Sequence, residues 1–282
     1  MLTRSQLKGI FAEHNFRPLK RFGENYLIDA NIKDKIIGEA RLTQDDTVLE
    51  IGPGLGALTI DLASSGARVI AVEKDKKACA ILKEITAGRF PNLELICDDI
   101  LRFDPESIGA RKKIKVIGNL PYYITTPIVA FLIDNRDLID FVLMTVQREV
   151  ATRMLAKPGI KDYSAFSCFV QYYTHPAYIH TIKAASFFPE PEVDSSIVRL
   201  DMPDTPTVDV KSEDALFRII RGSFNQRRKS IINSLSRKEA LDLPKEKLAS
   251  ILNRVNIDPS RRPETLSLSD FAKIADAMVG PS

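Results

Sequence analysis

Thr47-Val48-Leu49-Glu50-Ile51-Gly52-Pro53-Gly54-Leu55-Gly56-Ala57-Leu58-Thr59 passes from an apolar run through three glycines into a stretch of helical spacing. Glycine lets the main chain turn sharply and approach a ligand closely, as the strand-to-helix junction of a nucleotide-binding βα unit requires. Outward from this junction the same alternation continues. Segments 47–52, 67–72, 93–97, 114–118 and 139–146 are short apolar runs that read as strands, and 57–64, 76–86 and 127–135 have helical spacing. Strands that alternate with helices predict an α/β chain built on a Rossmann-like parallel sheet.

Past residue 146 the pattern changes. Segments 177–184 and 195–201 read as two further strands joined through the Pro-rich stretch 187–193, which suits an antiparallel hairpin at the sheet edge. Pro203 and Pro206 mark 201–209 as a linker, and 214–221, 226–235, 245–255 and 269–278 have helical spacing with polar starts. The expected organisation is a Rossmann-like catalytic domain over 1–203 and a small all-α C-terminal domain over 207–282.

Composition narrows the functional class. Hydrophobic residues at 44% and charged residues at 27% describe an ordinary globular chain. The apolar stretch 128–133 is far shorter than the roughly 20 residues of a spanning helix, and the N-terminus has no secretory pattern, so a cytoplasmic protein off the membrane is expected. Cys79, Cys97 and Cys168 form no CxxC pair and read as three small buried apolar residues in a reducing compartment, with no support for a metal site. Charge is uneven: residues 211–282 carry 14 Lys and Arg against 9 Asp and Glu, whereas the remainder carries 26 against 28. A basic appendage on a near-neutral body is what a polyanion-binding tail looks like.

The cofactor is nucleotide-like. Gly52, Gly54 and Ala57 loosely satisfy the dinucleotide fingerprint, and Glu73 ends the second strand, where an acid accepts hydrogen bonds from ribose hydroxyls. Glu73 therefore fits NAD and S-adenosyl-L-methionine equally. Three features favour the latter. Glu50, just ahead of the glycines, sits awkwardly beside a pyrophosphate but is tolerated by a sulfonium cation. Asp99 follows the third strand, where a carboxylate can accept from the adenine amine, and the fourth strand ends in Asn119-Leu120-Pro121-Tyr122.

That tetrapeptide carries the acceptor chemistry. An exocyclic adenine amine is a poor nucleophile because its lone pair is conjugated into the ring. The Asn119 side-chain carbonyl and the Pro121 backbone carbonyl can both accept from the amine and draw the lone pair out of conjugation. Tyr122 offers an aromatic face for an extruded base, and Phe187 is the candidate for the opposite face. A cytosine C5 methyltransferase would need a cysteine nucleophile, and none lies near this strand.

In combination, Arg21 to Leu27 (RFGENYL), Glu50 to Thr59 (EIGPGLGALT), Val72 to Asp75, Asp99 to Phe103, Asn119 to Ile124 (NLPYYI), Gln147 to Arg153, Phe187 to Ser195 (FFPEPEVDS) and Phe224 to Leu235 (FNQRRKSIINSL) closely resemble the ribosomal RNA adenine N6,N6-dimethyltransferase family in its small-subunit branch. The resemblance implies that Asn25, Leu27, Gly52, Glu73, Asp99 and Asn119 contact S-adenosyl-L-methionine and that Asn119, Tyr122 and Phe187 hold the base. It implies as substrate two adjacent adenosines in the 3′-terminal hairpin loop of 16S rRNA within the immature 30S subunit, and a monomeric enzyme. Arg148, Arg227, Arg228 and Lys229 are the candidate RNA contacts, since such basic clusters engage phosphates without reading sequence. Glu24-Asn25-Tyr26 stands where relatives often have Gln-Asn-Phe, and Glu192 where they often have a basic residue. The alternatives are a large-subunit adenine methyltransferase of the macrolide-resistance type, against which Leu120 and the FNQRRKS segment argue, and a mainly non-catalytic ribosome-assembly factor.

Overall fold

The computed structural model describes residues 3–17, 25–226, 228–237 and 240–279. It divides into two compact units, residues 1–151 with 177–202, and residues 152–176 with 203–282.

The first unit is built on a seven-stranded sheet. Its strands are β2 (Thr47–Ile51), β3 (Arg68–Val72), β4 (Leu93–Ile96), β5 (Ile114–Asn119), β6 (Ile139–Gln147), β7 (His175–Ile182) and β9 (Ser195–Asp201), in the order β4-β3-β2-β5-β6-β9-β7. A separate two-stranded antiparallel sheet joins β1 (Tyr26–Leu27) to β8 (Phe187–Phe188). Strands β2 to β6 pair in parallel, β9 runs antiparallel to β6, and β7 lies at the edge beside β9. From central β2 the chain winds one way through β3 and β4 and the other way through β5 and β6. Strand order thus reverses between β2 and β5, and open α/β sheets bind ligands at the carboxyl ends of the strands beside such a reversal.

Val48, Leu49, Val69, Ile70, Ala71, Val116 and Ile117 are all at most 1% exposed, the run of apolar residues that parallel strands show when helices cover both faces. The helices are α1 (Arg4–Glu13), α2 (Ala30–Ala40), α3 (Thr59–Ser64), α4 (Lys76–Thr86) and α5 (Thr125–Asp134), while α6 (Arg148–Leu155) begins in this unit and ends in the other. Ile32, Ile36 and Ala40 of α2 pack with Leu62 and Ala63 of α3 against Val48, Val69 and Ile117. A second cluster joins Leu7, Phe16, Tyr26, Leu55, Ala78 and Ile81. Each fully buried aliphatic side chain of this kind contributes about 1.5–3 kcal/mol of transfer free energy.

Gly118 holds the two central strands at their carboxyl ends. A Cβ there would lie 2.7 Å from the Ile51 carbonyl oxygen and 3.1 Å from Leu120 Cδ2. The backbone of the paired strand cannot retreat as a flexible side chain could. Gly118→Ala is therefore expected to destabilise the chain by about 2–3 kcal/mol in urea unfolding.

One expectation is corrected here. Cys79 on α4 and Cys97 just past β4 are not separate thiols but a disulfide pair, with Cα atoms 6.0 Å apart, whereas Cys168 is free and buried. Packing of a helix on its neighbouring strand brings together two cysteines 18 residues apart, a proximity that no short-spacing rule detects.

The second unit is helical: α7 (Ala165–Tyr173), α8 (Glu213–Phe224), α9 (Ile231–Leu235), α10 (Lys245–Arg254) and α11 (Leu268–Val279), with the end of α6. Segment 152–176 belongs here rather than with the sheet, into which the 1–203 boundary had drawn it. The Tyr172 and Tyr173 hydroxyls donate to the two Glu213 carboxylate oxygens at 3.2 and 2.6 Å, and Phe217 packs against both rings. The expected helix over 226–235 shrinks to Ile231–Leu235. Ser230 is extended (φ −65, ψ 159), and the Ile231 N–H donates to the Arg261 carbonyl at 2.7 Å instead of continuing a helix.

Candidate active site

The carboxyl ends of β2, β3 and β5 and the turn after β4 border an open cavity. All eight residues expected to hold the cofactor line it: Asn25, Leu27, Glu50, Gly52, Gly54, Glu73, Asp99 and Asn119.

The turn after β2 depends on positive φ angles, +66 at Gly52 and +57 at Gly54. At Gly54 the constraint is also spatial, because a Cβ would stand 2.9 Å from the Tyr26 ring. Glu73, at the end of β3, accepts the Gly54 N–H at 2.9 Å on one oxygen and the Asp75 N–H at 2.7 Å on the other. Burial pushes its carboxyl above the ordinary range, and these two N–H groups pull against that rise. The acid thus clamps the glycine turn from across the cavity while retaining lone pairs for a ligand.

Glu50 is 1% exposed, and neither its Oε2 nor the Thr59 hydroxyl has a hydrogen-bond partner among the described residues. Burial raises its pKa to about 8; the Thr59 hydroxyl beside it opposes the rise and the Glu73 charge adds to it. Glu50 lines the cavity, and a buried polar atom without a partner is rare enough to mark a functional position.

Asp99 is differently placed. Burial alone would raise its carboxyl, yet the Lys74 ammonium at 2.7 Å and the Leu101 N–H at 3.1 Å outweigh that and hold it below the ordinary range. Lys74 was not anticipated. It lies between Glu73 and Asp75 in the sequence but reaches over to the turn after β4, a contact without local signature.

At the end of β5 the Asn119 amide donates to the Asn25 carbonyl at 2.8 Å, which leaves its Oδ1 as an acceptor. The Pro121 carbonyl accepts the Thr125 hydroxyl at 3.1 Å and the Ile124 N–H at 3.3 Å. The Thr125 hydroxyl also lies within 3.4 Å of the Tyr122 carbonyl. Tyr123 lines the cavity and is 49% exposed, whereas Tyr122 is not among the lining residues; its hydroxyl lies 2.6 Å from Ser195 Oγ.

Phe187 departs from expectation. It is 2% exposed, pairs with Leu27 between β1 and β8, and sits in the core cluster rather than on an open surface.

Arg148 is exposed at the start of α6, its N–H donating to the Asp194 carbonyl at 3.0 Å. Arg228 and Lys229 are exposed in the turn ahead of α9 in the other unit, not on a helix as the spacing suggested; Arg227 and Lys238, like 21–24 of the RFGENYL motif, lie outside the described residues. Among the described residues no group of three His, Cys, Asp or Glu side chains could hold a metal ion, and no helix is long and apolar enough to cross a membrane.

Comparison with known proteins places this arrangement. A protein from Moorella thermoacetica named ribosomal RNA small subunit methyltransferase A is 44% identical over 282 residues, covering 97% of this chain and 96% of its own length. Its namesake from Alkaliphilus oremlandii is 41% identical over 273 residues, covering 95% and 94%. The crystal structure of a dimethyladenosine transferase from Plasmodium falciparum superimposes with a TM-score of 0.77 at 26% identity, over 88% of this chain and 95% of that one. Residues 14–274 match the family model described as ribosomal RNA adenine dimethylase, and the chain belongs to that family.

Proposed function

We propose that this chain transfers methyl groups from S-adenosyl-L-methionine to the N6 amines of two adjacent adenosines in the 3′-terminal hairpin loop of 16S rRNA, within the immature 30S subunit in the cytoplasm. The observation that carries this reading is Asn119, whose amide is pinned by the Asn25 carbonyl so that Oδ1 is left to accept, beside a cavity already lined by Glu50, Gly52, Glu73 and Asp99.

The residues fit the cofactor. Glu73 has lone pairs left for ribose hydroxyls, Asp99 keeps a second lone pair on each engaged oxygen for the adenine amine, and the orphaned Glu50 Oε2 suits the positive end of the molecule. When bound, S-adenosyl-L-methionine supplies an electrophilic methyl group. The chain's own work is orientation: Asn119 Oδ1 and the Pro121 carbonyl accept the two N–H groups of the target amine and aim its lone pair. To free the Pro121 carbonyl, the Thr125 hydroxyl turns to the Tyr122 carbonyl it already approaches. No strong base is required, because the amine gains charge before it loses its proton. Tyr122 stacks on the extruded base.

Incubating the chain with labelled cofactor and unmethylated small subunits, followed by nucleoside analysis, tests the reading. Dimethyladenosine in 16S rRNA is expected; no label there, or label confined to the large-subunit RNA, overturns it. The basic sequence cluster 227–229 has its own test. Replacing Arg227, Arg228 and Lys229 together by Ala should weaken small-subunit binding by about tenfold or more at moderate salt and flatten its dependence on salt concentration, with cofactor affinity intact. Unchanged subunit binding would remove these residues from the interface.

A further inference from the structure

Ser195 is the first residue of β9 and is completely buried. Its backbone is fixed by the antiparallel register in which it faces Gln147 of β6. Two residues back along β6, Thr145 pairs with Asn119 of β5, and its carbonyl accepts the Leu120 N–H at 3.1 Å. One strand thus sets the positions of both the loop that begins at Asn119 and the strand that begins at Ser195. Between them stands Tyr122, in a single tight turn whose N-cap position, Pro121, makes no side-chain hydrogen bond.

A tyrosine side chain in such a turn can choose among χ1 wells, so the turn alone does not fix where its ring lies. The hydroxyl pair does. Tyr122 OH and Ser195 Oγ lie 2.6 Å apart, one donating to the other, and a half-buried phenol that lost this partner would be left with an unsatisfied polar group.

We infer that Ser195 is a positioning residue for methyl transfer, its hydroxyl anchoring the Tyr122 ring at the place where the target base is received. The inference rests on the functional reading above, in which Tyr122 meets that base.

The test is a double-mutant cycle in the full chain, using S195A, Y122F and the pair, with single-turnover methylation of small subunits, cofactor affinity and thermal unfolding measured for each. Y122F keeps the ring, removes the hydroxyl and leaves buried β9 untouched, so it reports even if S195A folds poorly. Each single variant should lose about tenfold in the transfer rate with unchanged cofactor affinity, and the double variant should be no worse than either single. S195T, which keeps a hydroxyl, should recover most of the rate. A merely structural role would lower the unfolding temperature and leave the rate of the folded enzyme alone. Parental rates in Y122F, or losses that multiply in the double variant, overturn the inference. A parent chain inactive on small subunits would instead overturn the functional reading itself.

Discussion

Asn119→Ala is expected to lower single-turnover methylation of small-subunit RNA by about a thousandfold or more, with cofactor affinity reduced by no more than about tenfold. The asymmetry follows from what surrounds the side chain. Glu50, Gly52, Gly54, Glu73 and Asp99 still line the cavity in the variant, so most of the cofactor's contacts survive. Lost are the Oδ1 acceptor for the target amine and the hydrogen bond to the Asn25 carbonyl that fixes its direction. Asn119→Asp separates the two losses. It keeps an acceptor oxygen but sets a carboxylate against the Asn25 carbonyl where an amide donated, so the side chain is repelled from its anchor. An activity between those of the parent and Asn119→Ala is expected. If Asn119→Asp equals the parent, the Asn25 contact plays no part in orientation, and if Asn119→Ala keeps a tenth of the parental rate, lone-pair alignment by this residue is not the main source of acceleration.

The parallel sheet was legible because each of its strands is a short apolar run between turn residues, and each observed strand differs from its expected span by one residue at one end. The cavity was legible for the same reason. Glu50, Glu73, Asp99 and Asn119 stand at or just beyond strand carboxyl ends, which a parallel sheet necessarily gathers on one side. What escaped depends on long-range contact. Strands β1 and β8 have two residues each and exist only by pairing with each other, so neither has a period to detect. The Cys79–Cys97 pair, the Lys74–Asp99 ion pair and the Tyr122–Ser195 contact join segments whose proximity is created by the fold. Segment 152–176 was given no element of its own and fell within the 1–203 bounds, but its anchors, Glu213 for the two tyrosine hydroxyls and Glu264 for the Gly159 N–H, lie far downstream.

Glu50 should leave a large signature on stability against pH. In the folded chain its pKa is raised from 4.5 to about 8, with burial as the main cause. The unfolded chain returns it to the ordinary range. Between those two values the folded state holds a proton that the unfolded state has released, so stability falls as pH rises through the window and the penalty is complete above it. At about 1.4 kcal/mol per pH unit the penalty reaches at most ~5 kcal/mol. Glu50→Gln replaces the protonated acid by a neutral group of the same shape and removes this term, together with the repulsion between Glu50 and Glu73. Every other titrating group is common to parent and variant, so their difference isolates the site. In urea unfolding the variant should match the parent within about 1 kcal/mol near pH 5 and exceed it by a few kcal/mol at pH 8.5. A difference that stays constant from pH 5 to 8.5 would show that Glu50 keeps the same charge throughout. A variant that loses ground as pH rises would mean that the folded chain favours the carboxylate, contrary to its burial and its orphaned oxygen.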